Sequence, residues 1–214
     1  MSQTGFLDRA TSDLNYVVYV PRGVEPKGLP VILFLHGHGE SGTDGLRQTL
    51  IGLPHAIRAT HYRWQFIVVS PQKPDFDALW SKYKEALNVM LADVEKEFHP
   101  DPHRRYITGL SQGGRGTFDL CTALDWHFAA AAPVCGWTEP EEAAKRLVHM
   151  PLWAFHGDED QAVKFESGQQ AVALLKDQGA DATFTLYPGV GHNSWDKAYQ
   201  ESDLPTWFLA HTRA

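Results

Sequence analysis

The sequence predicts an α/β fold: a mostly parallel central sheet with helices on both faces. From Val31 onward, short apolar runs alternate with longer segments of helical spacing, the order in which strand–helix–strand units build parallel sheets. The runs Val31–Leu35 and 65–69 are apolar on both faces, as strands covered from two sides must be. The glycine- and acid-rich segments each follow such a run. They therefore collect at the carboxyl ends of the strands, where open sheets of this class carry their sites.

Taken in order, residues 1–13 are polar and lack the apolar core of a signal peptide, which makes the cytoplasm the expected compartment. Asn15–Val20 alternates and is closed by Pro21, a strand near the sheet edge. Residues 46–59 have helical spacing with a break near Pro54, and the 65–69 strand is expected to stop at Ser70 and Pro71. Residues 78–98 form a long amphipathic helix with Leu87, Met90, Leu91, Val94 and Phe98 on one face, ended by Pro100 and Pro102. The β-branched run at Tyr106, Ile107 and Thr108 leads through a glycine-rich turn into a helix over 117–124. Residues 128–134 are rich in alanine, yet their place between strands favours a strand. A short helix over 139–148, a strand over 152–156, a helix over 166–178 capped by Gly179, a strand over 183–187 and a helix from about Asp196 complete the order.

A chain of 214 residues is expected to fold as one domain, 1–214, large enough to bury a full core. A net charge of −7 without any lysine or arginine cluster argues against nucleic acid as partner. No apolar run approaches a membrane span, so no membrane association is expected. Cys121 and Cys135 are too few for a disulfide framework and read best as two free thiols in a reducing compartment.

The chemistry centres on Gly109-Leu110-Ser111-Gln112-Gly113, a Gly-x-Ser-x-Gly segment between a strand and a helix. In that context the turn is a nucleophile elbow: it is too tight for side chains two positions either side of the serine, and it lifts the hydroxyl to the N-terminus of a helix. A serine needs a base, and the base needs an acid to hold its tautomer, in the chain order serine, acid, histidine for this fold class. Of eleven histidines, His192 follows the last strand on the correct edge and is the expected base. Asp158 and Asp160 both follow the 152–156 strand. Asp160 lies farther into the loop and is favoured as the acid, while Asp158 is better suited to ordering the loop through backbone hydrogen bonds. A developing oxyanion requires N–H donors, which the backbones of Gln112 and His38 are placed to supply. His36 and His38 could instead bind zinc, but no third ligand at a recognisable spacing joins them, so no metal is expected.

Four segments together resemble the α/β-hydrolase superfamily: Leu35-His36-Gly37-His38-Gly39-Glu40, Gly109-Leu110-Ser111-Gln112-Gly113-Gly114, His156-Gly157-Asp158-Glu159-Asp160-Gln161-Ala162-Val163 and Gly191-His192-Asn193-Ser194-Trp195. Within it they are similar to the phospholipase/carboxylesterase branch, including predicted-peptidase and polyhydroxybutyrate-depolymerase-like esterases. The resemblance runs in order over nearly the whole chain from Val31. It implies the α/β-hydrolase fold, an acid at Asp160 through the pattern His-Gly-x-x-Asp-x-x-Val, and oxyanion donors at the backbones of His38 and Gln112. Two positions depart from it: His38 stands where a small or aliphatic residue is usual, and Trp137 where another glycine often follows. A cysteine-nucleophile relative such as dienelactone hydrolase is disfavoured because the elbow carries Ser111.

Few residues separate Val134 from the helix at Glu139, so no lid domain fits there, and the loop after Val31–Leu35 reads as short. An open, shallow site is expected, suited to short-acyl or accessible esters. Trp137 and Trp195 are candidates to line it, while Trp80 and Cys135 read as packed residues. The expectation is a cofactor-free serine carboxylesterase acting on a small-molecule ester, with thioester or peptide cleavage on the same triad as the alternative. A non-catalytic binding protein on the same scaffold is disfavoured because every triad member and oxyanion glycine is present.

Overall fold

Alternation within the central strands divides the molecule into two buried layers. In a computed structural model, which describes residues 4–213, Val31, Leu33, Leu35, Ile67 and Val69 face one apolar cluster, and Ile32, Phe34 and Val68 face the other. Eight strands form one sheet in the order β1-β2-β4-β3-β5-β6-β7-β8. They are β1 (Gly5–Ala10), β2 (Asn15–Val20), β3 (Val31–Leu35), β4 (Ile67–Gln72), β5 (Arg105–Leu110), β6 (Ala130–Val134), β7 (Leu152–Gly157) and β8 (Ala182–Tyr187). β1 and β2 pair antiparallel at one edge, and every pair from β4 through β8 is parallel.

The helices are α1 (Gly52–Thr60), α2 (Lys84–Phe98), α3 (Gln112–Leu120), α4 (Pro140–Leu147), α5 (Glu166–Asp177), α6 (Trp195–Gln200) and α7 (Leu204–Leu209). Leu87 and Met90 of α2, Phe118 of α3, Leu147 of α4 and Leu175 of α5 pack into the first layer. Leu53 and Ile57 of α1, Tyr199 of α6 and Phe208 of α7 fill the second. The α/β-hydrolase fold anticipated from the sequence, with helices on both faces, is the observed one. No described helix is long and apolar enough to cross a membrane.

The local differences have physical reasons. β1 was not anticipated: it forms the edge itself, leaving β2 next to the edge as expected, and its residues are half-buried or exposed. β4 continues through Pro71, which is tolerated because the ladder with β3 has already ended at Leu33–Val69, leaving only β2 alongside. The interruption near Pro54 falls earlier, at Leu50 and Ile51, and Pro54 sits in the first turn of α1, where its missing N–H costs nothing. α3 begins at Gln112 rather than residue 117, and the 78–98 helix opens as a 3₁₀ turn, Trp80–Tyr83. The β3–α1 connection is longer than anticipated and contains the 3₁₀ turn Arg47–Thr49, but the Gln72 side chain ties it down through Glu40 O and Gly45 N–H.

Candidate active site

Ser111 stands between β5 and α3 with φ 54° and ψ −116°, a strained conformation for a residue bearing a Cβ. Two glycines make that turn possible. A Cβ on Gly113 would lie 1.9 Å from the Leu35 carbonyl oxygen, and one on Gly109 would lie 2.5 Å from Gly113 O. The Ser111 N–H donates to Val134 O at 3.0 Å and toward Cys135 Sγ at 3.3 Å, which fixes the strained peptide from the β6 side. Cys135 is fully buried, with φ 39°, and burial pushes its thiol well above the ordinary range. It is therefore a packed thiol and not a thiolate.

The serine hydroxyl lies 3.0 Å from His192 Nε2, and His192 Nδ1 lies 2.7 Å from Asp160 Oδ2. A proton on Nδ1 satisfies the carboxylate and leaves Nε2 bare toward Ser111, the tautomer a general base needs. His192 comes from the loop between β8 and α6, and Asp160 from the loop after β7. The two loops can meet because Gly157 lets them close: a Cβ there would lie 2.1 Å from Val190 O. Asp160 Oδ1 accepts the N–H groups of Ala162 and Val163 at 2.8 and 2.9 Å. Burial alone would raise this carboxyl, but the His192 hydrogen bond and the two backbone donors outweigh it and hold Asp160 below its usual range. Asp158 turns away and accepts Gly189 N–H at 2.7 Å, tying the β7 and β8 loops together.

On the other side of Ser111, the loop after β3 carries His38, and Gln112 opens α3, where the first N–H groups of a helix have no partner within it. Gly37 N–H is taken by Glu40 Oε2 at 3.0 Å. The His38 ring is more than half exposed and rests against Phe76, 5.4 Å between centroids. His36 is buried and engaged on both sides: Nδ1 lies 2.6 Å from Gly37 O, and Nε2 accepts the Lys73 N–H at 3.1 Å. Burial drives its pKa down to about 3, so it is neutral and structural. Beneath the loop the buried Lys73 ammonium donates to Ser41 Oγ at 2.7 Å, Asp75 O at 2.6 Å and Phe76 O at 3.2 Å.

Of the two tryptophans expected at the rim, Trp195 meets the His192 ring edge-to-face at 5.4 Å, and Trp137 lines an open cleft of about 630 Å³ with Val163 and Ser167. Trp80 is buried, with its indole N–H bonded to His36 O. Three participants escaped the sequence reading: His156, whose Nε2 lies 3.1 Å from Asp160 Oδ2, and Lys73 and Phe76 beneath and beside the His38 loop. A lysine immediately after an apolar central strand was the one signal available for Lys73.

The profile of the Dienelactone hydrolase family matches residues 72–203, more than half of the chain. The chain is 34% identical over 128 residues to carboxylesterase SOBER1 of Arabidopsis thaliana, a match covering 55% of this chain and 54% of that protein. It is 41% identical over 107 residues to acyl-protein thioesterase 1 of Neurospora crassa, covering 42% of this chain and 40% of that protein. These matches span about half the length of those relatives or less. Among solved structures, a thermostable esterase superposes with a TM-score of 0.87 at 28% identity, covering 97% of this chain and 63% of that one.

Proposed function

The chain belongs to the dienelactone hydrolase family, and from that premise we propose that residues 1–214 form the catalytic domain of a serine carboxylesterase that hydrolyses short-acyl or accessible esters. The observation that carries the reading is the continuous relay from Ser111 Oγ through His192 to Asp160 Oδ2. The family bears the name of a member disfavoured on its nucleophile. In this chain the elbow position is Ser111, and the nearest thiol, Cys135, is buried behind it with its proton held.

Ser111 Oγ attacks the ester carbonyl as His192 Nε2 takes its proton, and Asp160 stabilises the imidazolium that forms. The carbonyl oxygen, now an oxyanion, accepts the backbone N–H groups of His38 and Gln112, donors that are fixed before the reaction and so cost no reorganisation. Collapse of the tetrahedral intermediate breaks the bond to the alcohol oxygen, which receives the proton from His192. Water then repeats the sequence on the acyl-enzyme and releases the acid. Trp195 and Trp137 offer apolar walls to the ester's two ends. Two buried free thiols support a reducing, cytoplasmic setting.

Hydrolysis of p-nitrophenyl esters from acetate to palmitate tests the reading. Turnover on the short esters, lost by about 10⁴-fold or more in Ser111→Ala, is expected. A folded wild type inert on every chain length would overturn it, as would a Ser111→Ala variant that retains turnover. The match to an acyl-protein thioesterase favours a second reading, thioester cleavage on the same residues. A kcat/KM for an acyl thioester far above that for its oxygen ester would select it.

A further inference from the structure

We propose that His156 is a positioning residue for the relay: its Nε2–H shares Asp160 Oδ2 with His192 and sets how strongly that carboxylate holds the base. The proposal rests on the reading of Ser111, His192 and Asp160 given above. His156 is the next-to-last residue of β7, is 1% exposed and has a side chain closed off from solvent. Its Nε2 lies 3.1 Å from Asp160 Oδ2 and 3.0 Å from Val163 O. Both neighbours are acceptors only, so Nε2 must carry the proton and donate to the two together. Burial lowers the pKa of His156 below its usual value, against the hydrogen bonds to Val163 and Asp160, which favours the neutral ring with that single N–H.

Asp160 thus accepts from four donors: the backbones of Ala162 and Val163 on Oδ1, and two imidazoles on Oδ2. A carboxylate oxygen shared between two N–H groups offers less charge to either. The second histidine therefore weakens the pull of Asp160 on His192 Nδ1–H and keeps the imidazolium from being over-stabilised. The ionisable groups facing this cluster are His192 from the β8–α6 loop and Cys135 from the loop after β6, while Asp158 on the β7 loop itself turns away to Gly189 N–H. Cys135 holds its proton and His156 stays neutral, so the charge of this cluster rests on Asp160.

His156→Phe and His156→Asn both remove the donor from the place of Nε2, one with an apolar ring and one with an amide too short to reach it. His156→Gln returns an N–H to the place of Nε2. In the donor-less variants the acidic limb of kcat/KM for p-nitrophenyl acetate should move up by about half a pH unit, because a freer Asp160 stabilises the protonated base. kcat should change by no more than about threefold, the size of that half-unit shift, with KM nearly unchanged, and His156→Gln should restore the acidic limb. The low-field His192 Nδ1–H proton resonance, recorded without substrate, should move further downfield in the variants that fold. That resonance separates the two ideas: it reads the hydrogen bond even where the enzyme shows no esterase turnover. An unmoved resonance with an unmoved acidic limb, in either folded donor-less variant, overturns the proposal. So does a wild-type spectrum in which His156 Nε2 is unprotonated near neutrality.

Discussion

The two flanks of Ser111 are built from the same material, loops at the carboxyl ends of parallel strands, yet each is held by a buried charge of opposite sign. On the β7–β8 flank the charge is Asp160, where the His192 hydrogen bond and the two backbone donors overcome burial and keep it ionised. On the β3–β4 flank it is the Lys73 ammonium. Its three acceptors are a hydroxyl and two peptide oxygens, and burial wins, lowering its pKa to about 8. The difference lies in the partners. Asp160 meets an imidazole that can become a cation, whereas the carboxylates of Asp75, Asp77 and Glu40 act on Lys73 only from beyond hydrogen-bond range. A buried charge is secure where its partners can answer it with charge.

The sharpest way to break this comparison is on the acid flank. Asp160→Asn should lower kcat by about 10³–10⁴-fold, because the amide can turn the wrong tautomer of His192 toward Ser111. Asp158→Asn, two residues away, should cost less than about threefold, because that side chain only tethers Gly189 N–H. Equal losses in the two variants would mean that the flank does not turn on a single carboxylate.

The cation flank should respond more gently and from the alkaline side. Above about pH 8 Lys73 loses its charge and one of its three donors, so kcat should decline there as the His38 loop loosens. Lys73→Arg, which cannot deprotonate, should remove that inflection, and Lys73→Met should lower kcat by about 10-fold at every pH. Stability should move the other way. Between about pH 8 and the ordinary 10.5 the unfolded chain holds the proton that the folded state has released, so thermal stability gains from this group while activity falls. Activity and stability declining together over that interval would point to general unfolding and not to Lys73.

The smallest effect concerns acid stability. The pKa of Asp160 is lower folded than unfolded, so its contribution is present above the unfolded carboxylate range and is lost as the pH falls through the folded value. Asp160→Asn should flatten the acid limb of the melting temperature by a few degrees at most.

Most of this frame was legible in the chain. Apolar runs such as Val31–Leu35 mark central strands, and the glycines around Ser111 mark a turn that admits no side chain. The same glycines concealed the start of α3. Gly113, Gly114 and Gly116 read as turn because glycine disfavours helices, yet here each is required by a backbone or side chain within about 3 Å of where a Cβ would sit. β1 was hidden for the opposite reason: a half-exposed edge strand carries little apolar pattern, and its pairing with β2 is a tertiary fact. His156 stood in view inside a motif without declaring a role, since nothing local shows that two histidines converge on one carboxylate oxygen. Lys73 and Phe76 reach the site only because β4 lies beside β3.

The connection between β6 and α4, residues 135–139, is too short to fold over Ser111, and the His192 side chain stays 29% exposed. An acyl group parked on the serine would then face the bulk medium, and whichever nucleophile arrives first would carry it off. In mixtures of water and a small alcohol, the free acid and the new ester should form in a ratio that follows solvent composition. An enzyme of this shape would be a transferase whenever water is scarce.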